Sequence, residues 1–432
     1  MNVLVVPCGT EIGLEIQRAL TGVKNINLFG LNSIKDYSSI VYENFYSDAP
    51  YLDDPQFLPF LADFIKEHGI THVFPAHDAA ALLLSANRSS LNQVKVITSS
   101  HETNMICRSK KLTYQTLKEL KVSPQSGLKE SVSVPKSFTS KKEINDNDFP
   151  IFMKPDVGQG SKGIKKINAM SELSDVDFSS NVVTEFLPGP EYTVDCFTDV
   201  NGNLLYVGPR QRNRIQNGIA VGTETITHNK HIFETFAEKI NSNISFKGAW
   251  FFQVKEKRDG EITLMEAAPR IAGSMSTNRV KGVNFAELSL YTHNDISVSV
   301  LPNTYNVQQE RALSNKYILD IDYQHVYVDF DDCLIFGEKV NHQLISFLYK
   351  AINNGCKLYL VTRHEHNIQE SLEKFRLSCL FDEVYHITDH SPKSAVIAHN
   401  DAIFIDDSYR ERVDVMKLGV PSFSVDCIEA LL

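Results

Sequence analysis

The chain lacks any CxxC pair and any cysteine–histidine spacing that would hold a metal, although it contains seven cysteines. Scattered along the sequence, these read as reduced thiols, which excludes a disulfide framework and a zinc module alike. No apolar run approaches membrane-spanning length, so no membrane partner is expected. The chain starts without a basic stretch and passes straight into Val3-Leu4-Val5-Val6, which reads as a buried strand and not as a signal peptide. A net charge of −10 is the wrong sign for the broad basic surface of a nucleic-acid binder. Internal repeats and low-complexity tracts are absent as well. These absences leave a soluble cytoplasmic protein whose partners are small molecules.

What is present is a chain of 432 residues, 42% hydrophobic and 22% charged, too long for one core. Three domains are expected, at 1–105, 106–312 and 318–432. Strand-like and helical runs alternate from the start: Val3–Val6, Leu14–Leu20, Ile26–Phe29, Phe57–His68 and Thr71–Phe74. Such alternation predicts a parallel sheet with helices on its faces. A polar helix over Ser109–Leu120 and a Ser/Pro/Lys-rich segment, 122–142, follow. Residues 150–310 read as β-rich with glycine loops, Val307–Asn315 as a linker, and the α/β alternation returns from Tyr317.

Pro7-Cys8-Gly9-Thr10-Glu11-Ile12-Gly13 joins the first strand to the first helix, where dinucleotide folds place their phosphate loop. The pattern is not GxGxxG, and the second strand runs into Gly30-Leu31-Asn32 without an acidic residue for a ribose. The glycines therefore read as the means of a tight turn into a helix.

Farther along, Ile151-Phe152-Met153-Lys154-Pro155 is a short strand bearing a lysine, followed by Gly158-Gln159-Gly160-Ser161-Lys162-Gly163. A lysine beside a loop of backbone N–H groups suits a polyphosphate, and a glycine hairpin with a solvated lysine is the plainer alternative. Val182-Val183-Thr184-Glu185-Phe186-Leu187 could present backbone groups and Glu185 to an adenine edge, with Glu191 just beyond. Trp250-Phe251-Phe252-Gln253 and Leu264-Met265-Glu266-Ala267-Ala268-Pro269-Arg270 are two further strands with inward polar residues. In this order the motifs resemble the ATP-grasp superfamily, especially the carboxylate–amine ligases related to the carbamoyl phosphate synthase large subunit. The resemblance covers residues 1–310 and implies a Rossmann-like pre-ATP-grasp domain followed by an ATP-grasp domain.

The same resemblance implies ATP and Mg2+ as cofactors. Lys111 and Lys154 would contact the phosphates, with Gly160, Ser161 and Gly163 folding over them. Glu185 and Leu187 would hold adenine, Glu191 the ribose, and Gln253 and Glu266 magnesium. Arg270 would face the phosphoryl or acyl-phosphate group. One position departs from the family: Ala268 stands where Asn is usual. Residues i and i+2 of a strand share a face, so the metal cluster loses one oxygen there. Arg210, Arg212 and Arg214, alternating on a strand, would form a basic strip aimed at an acceptor carboxylate or a phosphorylated substrate. Ser274 and Asn278 are further acceptor-side candidates.

The last quarter places chemistry at the ends of apolar runs: Val326-Tyr327-Val328-Asp329-Phe330-Asp331, Leu358-Tyr359-Leu360-Val361-Thr362, Lys393, and Ile403-Phe404-Ile405-Asp406-Asp407. Open α/β sheets gather their sites at strand ends. Asp329 suits a nucleophile, Asp331 an acid and base, and Thr362 and Lys393 the phosphoryl oxygens. Asp406 and Asp407 complete a magnesium site with Asp329 and Asp331. The four pieces resemble the haloacid dehalogenase (HAD) superfamily of phosphatases over residues 320–432, with Cys333 where Thr or Val is usual. About thirty residues separate Asp331 from Thr362, and about as many separate Thr362 from Lys393, too few for a cap domain. A capless HAD-like Rossmannoid domain is expected, open or covered by the ligase portion or by a second copy of the chain. Together the resemblances imply a bifunctional enzyme that joins a carboxylate to an amine with ATP and dephosphorylates a substrate or product. The alternative is a phosphatase whose ATP-grasp module binds nucleotide without catalysis.

Overall fold

The computed structural model describes residues 1–118, 132–158 and 163–432. It divides into two compact units, Met1–Ala312 and Leu313–Leu432. The boundary expected at 105/106 lies inside the first unit.

The first unit begins with a parallel sheet of β1 (Asn2–Val6), β2 (Asn27–Leu31), β3 (Asn44–Tyr46), β4 (His72–Pro75) and β5 (Lys95–Val96), in the order β3-β2-β1-β4-β5. Val3, Leu4, Val5 and Val6 are all buried. Both faces of the strand are covered, which is why the sequence reads as an unbroken apolar run. Thr10 caps the helix Glu11–Leu20, its Oγ1 accepting from the Gly13 N–H at 3.0 Å. Just past β2 the Asp36 carboxylate accepts from Asn32 Nδ2 and the Ser38 N–H, both at 2.9 Å. A Cβ on Gly9 would stand 2.0 Å from Asp36 Oδ2, so a larger residue there would displace this carboxylate, and an anion already sits beside the loop that precedes the helix.

Two antiparallel sheets follow. One contains β6 (Ser137–Phe138), β7 (Ile151–Pro155), β8 (Lys165–Ile167) and β9 (Asn181–Glu185), in the order β6-β9-β7-β8. The other contains β10 (Glu191–Thr198), β11 (Leu204–Gln216), β12 (Ile219–Thr225), β13 (Gly248–Glu256), β14 (Ile262–Ala268) and β15 (Gln308–Glu310), in the order β14-β13-β10-β11-β12-β15. Along β13 the side chains alternate: Trp250, Phe252 and Val254 pack on the helix Lys230–Asn243, while Phe251 joins a separate core. The next residue on the Phe251 face, Gln253, reaches the large cavity described below.

The helix expected over Ser109–Leu120 runs from Lys110 to Lys118, preceded by a separate helix His101–Arg108, with residues 119–120 outside the described set. The expected linker Val307–Asn315 begins as the edge strand β15, paired with β12. Backbone pairing at an edge needs no side-chain pattern, which is why this strand was silent in the sequence.

The second unit is a parallel sheet of β16 (His325–Val328), β19 (Lys357–Thr362), β20 (Glu383–His386), β21 (Ala402–Ile405) and β22 (Ser422–Phe423), in the order β20-β19-β16-β21-β22. A hairpin of β17 (Ile335–Phe336) and β18 (Lys339–Val340) follows β16 directly. One sheet face packs Val326, Leu358, Leu360, Ile403 and Ile405 on Leu344 and Phe347; the other packs Tyr327, Tyr359 and Phe404 on Val415. The gaps on either side of Thr362 hold only this hairpin, β20 and short helices. No helix among the described residues is long and apolar enough to cross a membrane.

Candidate functional site

The first unit holds an open cleft of about 770 Å³ between its sheets. Of the residues singled out in the sequence, Lys154, Glu185, Leu187, Glu191, Arg210, Arg212, Gln253, Glu266, Arg270 and Ser274 line it. Lys154 is buried, donating to the Tyr114 hydroxyl at 2.8 Å and the Met265 carbonyl at 3.3 Å. Burial pushes its pKa down to about 8, against the opposing pull of Glu266 and Glu191. Gln253 and Glu266 face each other across β13 and β14. Their hard oxygens fit magnesium, which completes its shell with water. Ala268 lies opposite Phe251 within an apolar core and offers no oxygen.

Several candidates stand elsewhere. Lys111 points away from the cavity and donates to the carbonyls of Phe178 (2.8 Å) and Ser179 (2.7 Å); the lysine at the wall is its neighbour Lys110. Consecutive helical residues project about 100° apart, so only one of an adjacent pair can face inward. Asn278 is buried and does not line the cavity; its Nδ2 donates to Asp195 at 2.8 Å and its Oδ1 accepts from the Tyr206 hydroxyl at 2.8 Å. Gly163 is not part of the cavity wall, which takes Gly158 and Ile164 from that segment; Gly160 and Ser161 lie outside the described residues.

The basic strip does not form. Register shifts around Arg214 break the alternation of β11. Arg210 is fully buried and bidentate to Asp195, Nε at 2.8 Å and Nη2 at 3.1 Å. Arg212 pairs with Glu191 and also donates to Gln253 Oε1 at 3.1 Å. Arg214 is exposed beside Glu310 at 2.7 Å. Each charge is cancelled by its own carboxylate. Arg270 is treated alike: its guanidinium makes a bidentate pair with Asp78 and stacks over Phe251. Burial raises the Asp78 carboxyl, but Arg270 outweighs it and holds the pKa below the usual range.

Sequence reasoning missed Lys110, Asp78, Glu11 and Arg311 as parts of this wall. Asp78 opens the helix Asp78–Ala86 just beyond the carboxyl end of β4, the place where a parallel sheet gathers ligands, so a signal was there to be read.

In the second unit the strand ends converge. Lys393 Nζ lies 2.7 Å from Asp329 Oδ1 and 2.7 Å from Asp406 Oδ2, and all three residues are buried. Burial, countered by Lys393 and reinforced by Asp406, pushes the Asp329 carboxyl up to about 7. Burial likewise raises Asp406. Asp329, Asp406 and Asp407 offer carboxylate oxygens all within 4.8 Å of one another, a donor set that fits a hard divalent cation. Thr362 is buried at the end of β19. Asp331 stands outside the carboxylate trio, half exposed, its carboxyl facing His364. Glu411 accepts from the Lys393 N–H at 3.3 Å and from Arg363 Nε at 3.2 Å, steadying the lysine segment. Neither His364 nor Glu411 was singled out in the sequence.

Residues 177–318 match the family model described as ATP-grasp in the biosynthetic pathway with Ter operon. No curated protein matches the chain in sequence. Among solved structures, a Campylobacter jejuni biotin carboxylase–βγ-ATP complex is similar at 14% identity and a TM-score of 0.57, over 69% of this chain and 72% of that one. Staphylococcus aureus N5-carboxyaminoimidazole synthetase is similar at 15% identity and a TM-score of 0.55, over 69% and 78%. An L-amino acid ligase from Bacillus licheniformis is similar at 18% identity and a TM-score of 0.51, over 68% and 74%. Residues 177–318 are thus similar to ATP-grasp sequences, and the chain shares its fold with these structures.

Proposed function

We propose that the protein is a bifunctional enzyme. Its first unit joins a carboxylate to an amine at the expense of ATP, and its second hydrolyses a phosphomonoester that is a substrate or product of the first. The observation that carries the ligase half is the cavity wall, where Lys110, Lys154, Gln253 and Glu266 converge in an ATP-grasp domain. The substrate carboxylate attacks the γ-phosphorus of ATP, releasing ADP and forming an acyl phosphate; the amine then displaces phosphate to leave the amide. Lys154 supplies fixed positive charge to the transferring group, and the walls position it. Bound magnesium, held by Glu266 and Gln253, would neutralise phosphate charge.

For the second unit the supporting observation is the contact of Lys393 with Asp329 and Asp406 at the ends of parallel strands, the arrangement expected of a HAD-type site. Asp329 attacks phosphorus, the P–O bond to the leaving group breaks, and Asp331 gives that oxygen its proton. Water, losing its proton to Asp331, then hydrolyses the aspartyl phosphate. A cation held by Asp329, Asp406 and Asp407 would offset the phosphoryl charge. Because neither flanking gap holds a cap, the site suits a bulky phosphorylated substrate.

Phosphorus NMR of the protein with ATP, magnesium and panels of acids and amines tests the whole. Carboxylate- and amine-dependent ADP formation supports the ligase. Its absence across a broad panel sinks that half. Ala268, apolar-packed where an oxygen ligand is usual, favours a second reading in which the first unit binds nucleotide without turnover. Tight ATP binding with no ADP, alongside active phosphatase, would select it.

A further inference from the structure

The mechanism above leaves one ordered group unused. His364 lies two residues past Thr362, and its Nδ1 is 2.9 Å from both carboxylate oxygens of Asp331. Its other nitrogen, Nε2, is 2.8 Å from Ser371 Oγ. The ring meets Phe330 edge-on at 5.0 Å and His366 at 5.5 Å. The His364 N–H donates to Thr362 Oγ1 at 3.1 Å, and His386 Nε2 stands 2.7 Å from the His364 carbonyl. The imidazole is only 12% exposed, whereas the Asp331 carboxyl it touches is 51% exposed. A half-exposed carboxyl on a short side chain has several open rotamers, and this contact selects one of them.

We propose that His364 is the positioning residue for Asp331 in the phosphatase reaction, an inference that rests on the phosphatase reading of the second unit. An ionised carboxylate only accepts hydrogen bonds, so Nδ1 carries the proton and Nε2 accepts from the Ser371 hydroxyl. That tautomer serves both halves of the reaction. When Asp331 is protonated, Nδ1–H holds one oxygen while the O–H of the other passes its proton to the leaving oxygen as the P–O bond breaks. When Asp331 is ionised, the same N–H holds the carboxylate aimed at the incoming water. Phe330, between Asp329 and Asp331 in sequence, backs the ring, so nucleophile, acid and imidazole share one local framework.

A positioning role is read in leaving-group dependence. p-Nitrophenolate departs without a proton, whereas phenolate needs one, and kcat/KM reports phosphoryl transfer to Asp329 in both cases. In the full-length protein with magnesium, H364A is expected to lower kcat/KM for phenyl phosphate about thirtyfold and for p-nitrophenyl phosphate about threefold. H364N, whose amide N–H can stand near the Nδ1 position, should recover part of the phenyl phosphate rate. S371A keeps the ring but frees its far nitrogen, and should act in the same direction by about threefold to fivefold, which covers the case in which H364A folds poorly. Equal losses on both substrates in H364A and S371A, or no loss, would overturn the proposal while leaving the phosphatase reading standing. If the wild type hydrolyses neither ester, the phosphatase reading falls and this one with it.

Discussion

The two sites solve opposite problems with charge. The cavity of the first unit is large and assembled from three sheets and the helices beside them, and its arginines are each matched to a carboxylate: Arg210 to Asp195, Arg212 to Glu191, Arg270 to Asp78. The second site is small and crowded with acids, which share Lys393. In the first, rigid neutral pairs shape a wall and leave Lys110 and Lys154 as the cations best placed for phosphate. In the second, an excess of carboxylates builds a place for positive charge. The difference teaches that arginine alternation along a strand says little about ligand charge until each partner is known.

The sharpest way to break the comparison is to disable one site and watch the other. D329N should lower phosphomonoester hydrolysis more than about a thousandfold, the scale of a lost nucleophile, and leave ADP formation unchanged. Coupled phosphorus NMR reads both; loss of ADP formation would mean the sites are not independent. Next, K154M should cut ADP formation about a hundredfold without touching phosphatase turnover.

The arginines come next. R210A leaves the Asp195 carboxyl buried with Asn278 as its side-chain donor among the described residues, and should cost the first unit about 3–5 kcal/mol in urea unfolding. R214A removes an exposed pair and should cost less than about 0.5 kcal/mol. Similar values for the two would restore the picture of one strip.

Acidification should move the units in opposite directions. Burial holds His293 in the first unit down to about 4, so between its unfolded pKa of 6.5 and that value the unfolded chain takes up a proton that the folded imidazole refuses. The first unit then loses about 3 kcal/mol as pH falls through this window, and H293Q should flatten the slope. Asp329, raised to about 7, binds its proton more tightly when folded. With metal chelated, the second unit therefore gains stability as pH falls from 7 toward 4, and D329N removes the gain. Thermal melts at stepped pH read both trends; parallel slopes would contradict the assignment.

By itself the sequence marked the apolar strands of the second unit and the polar residues at their ends. Asp329, Thr362 and Asp406 each follow an apolar run, and the direction of a strand carries its last residue to one edge of a parallel sheet without further information. Lys154, Glu185, Glu191, Gln253 and Glu266 were singled out by resemblance, and all five line one cavity. Tertiary structure alone decided the rest. That Lys110 and not Lys111 meets the cavity depends on the rotation of one helix. That Arg270 is bound to Asp78, 192 residues away, and Glu15 to Arg279, 264 away, depends on how separate sheets pack. Local pattern sets what a residue is and which side of its element it takes. Which charge neutralises it is a long-range pairing, and no short window of sequence contains both partners.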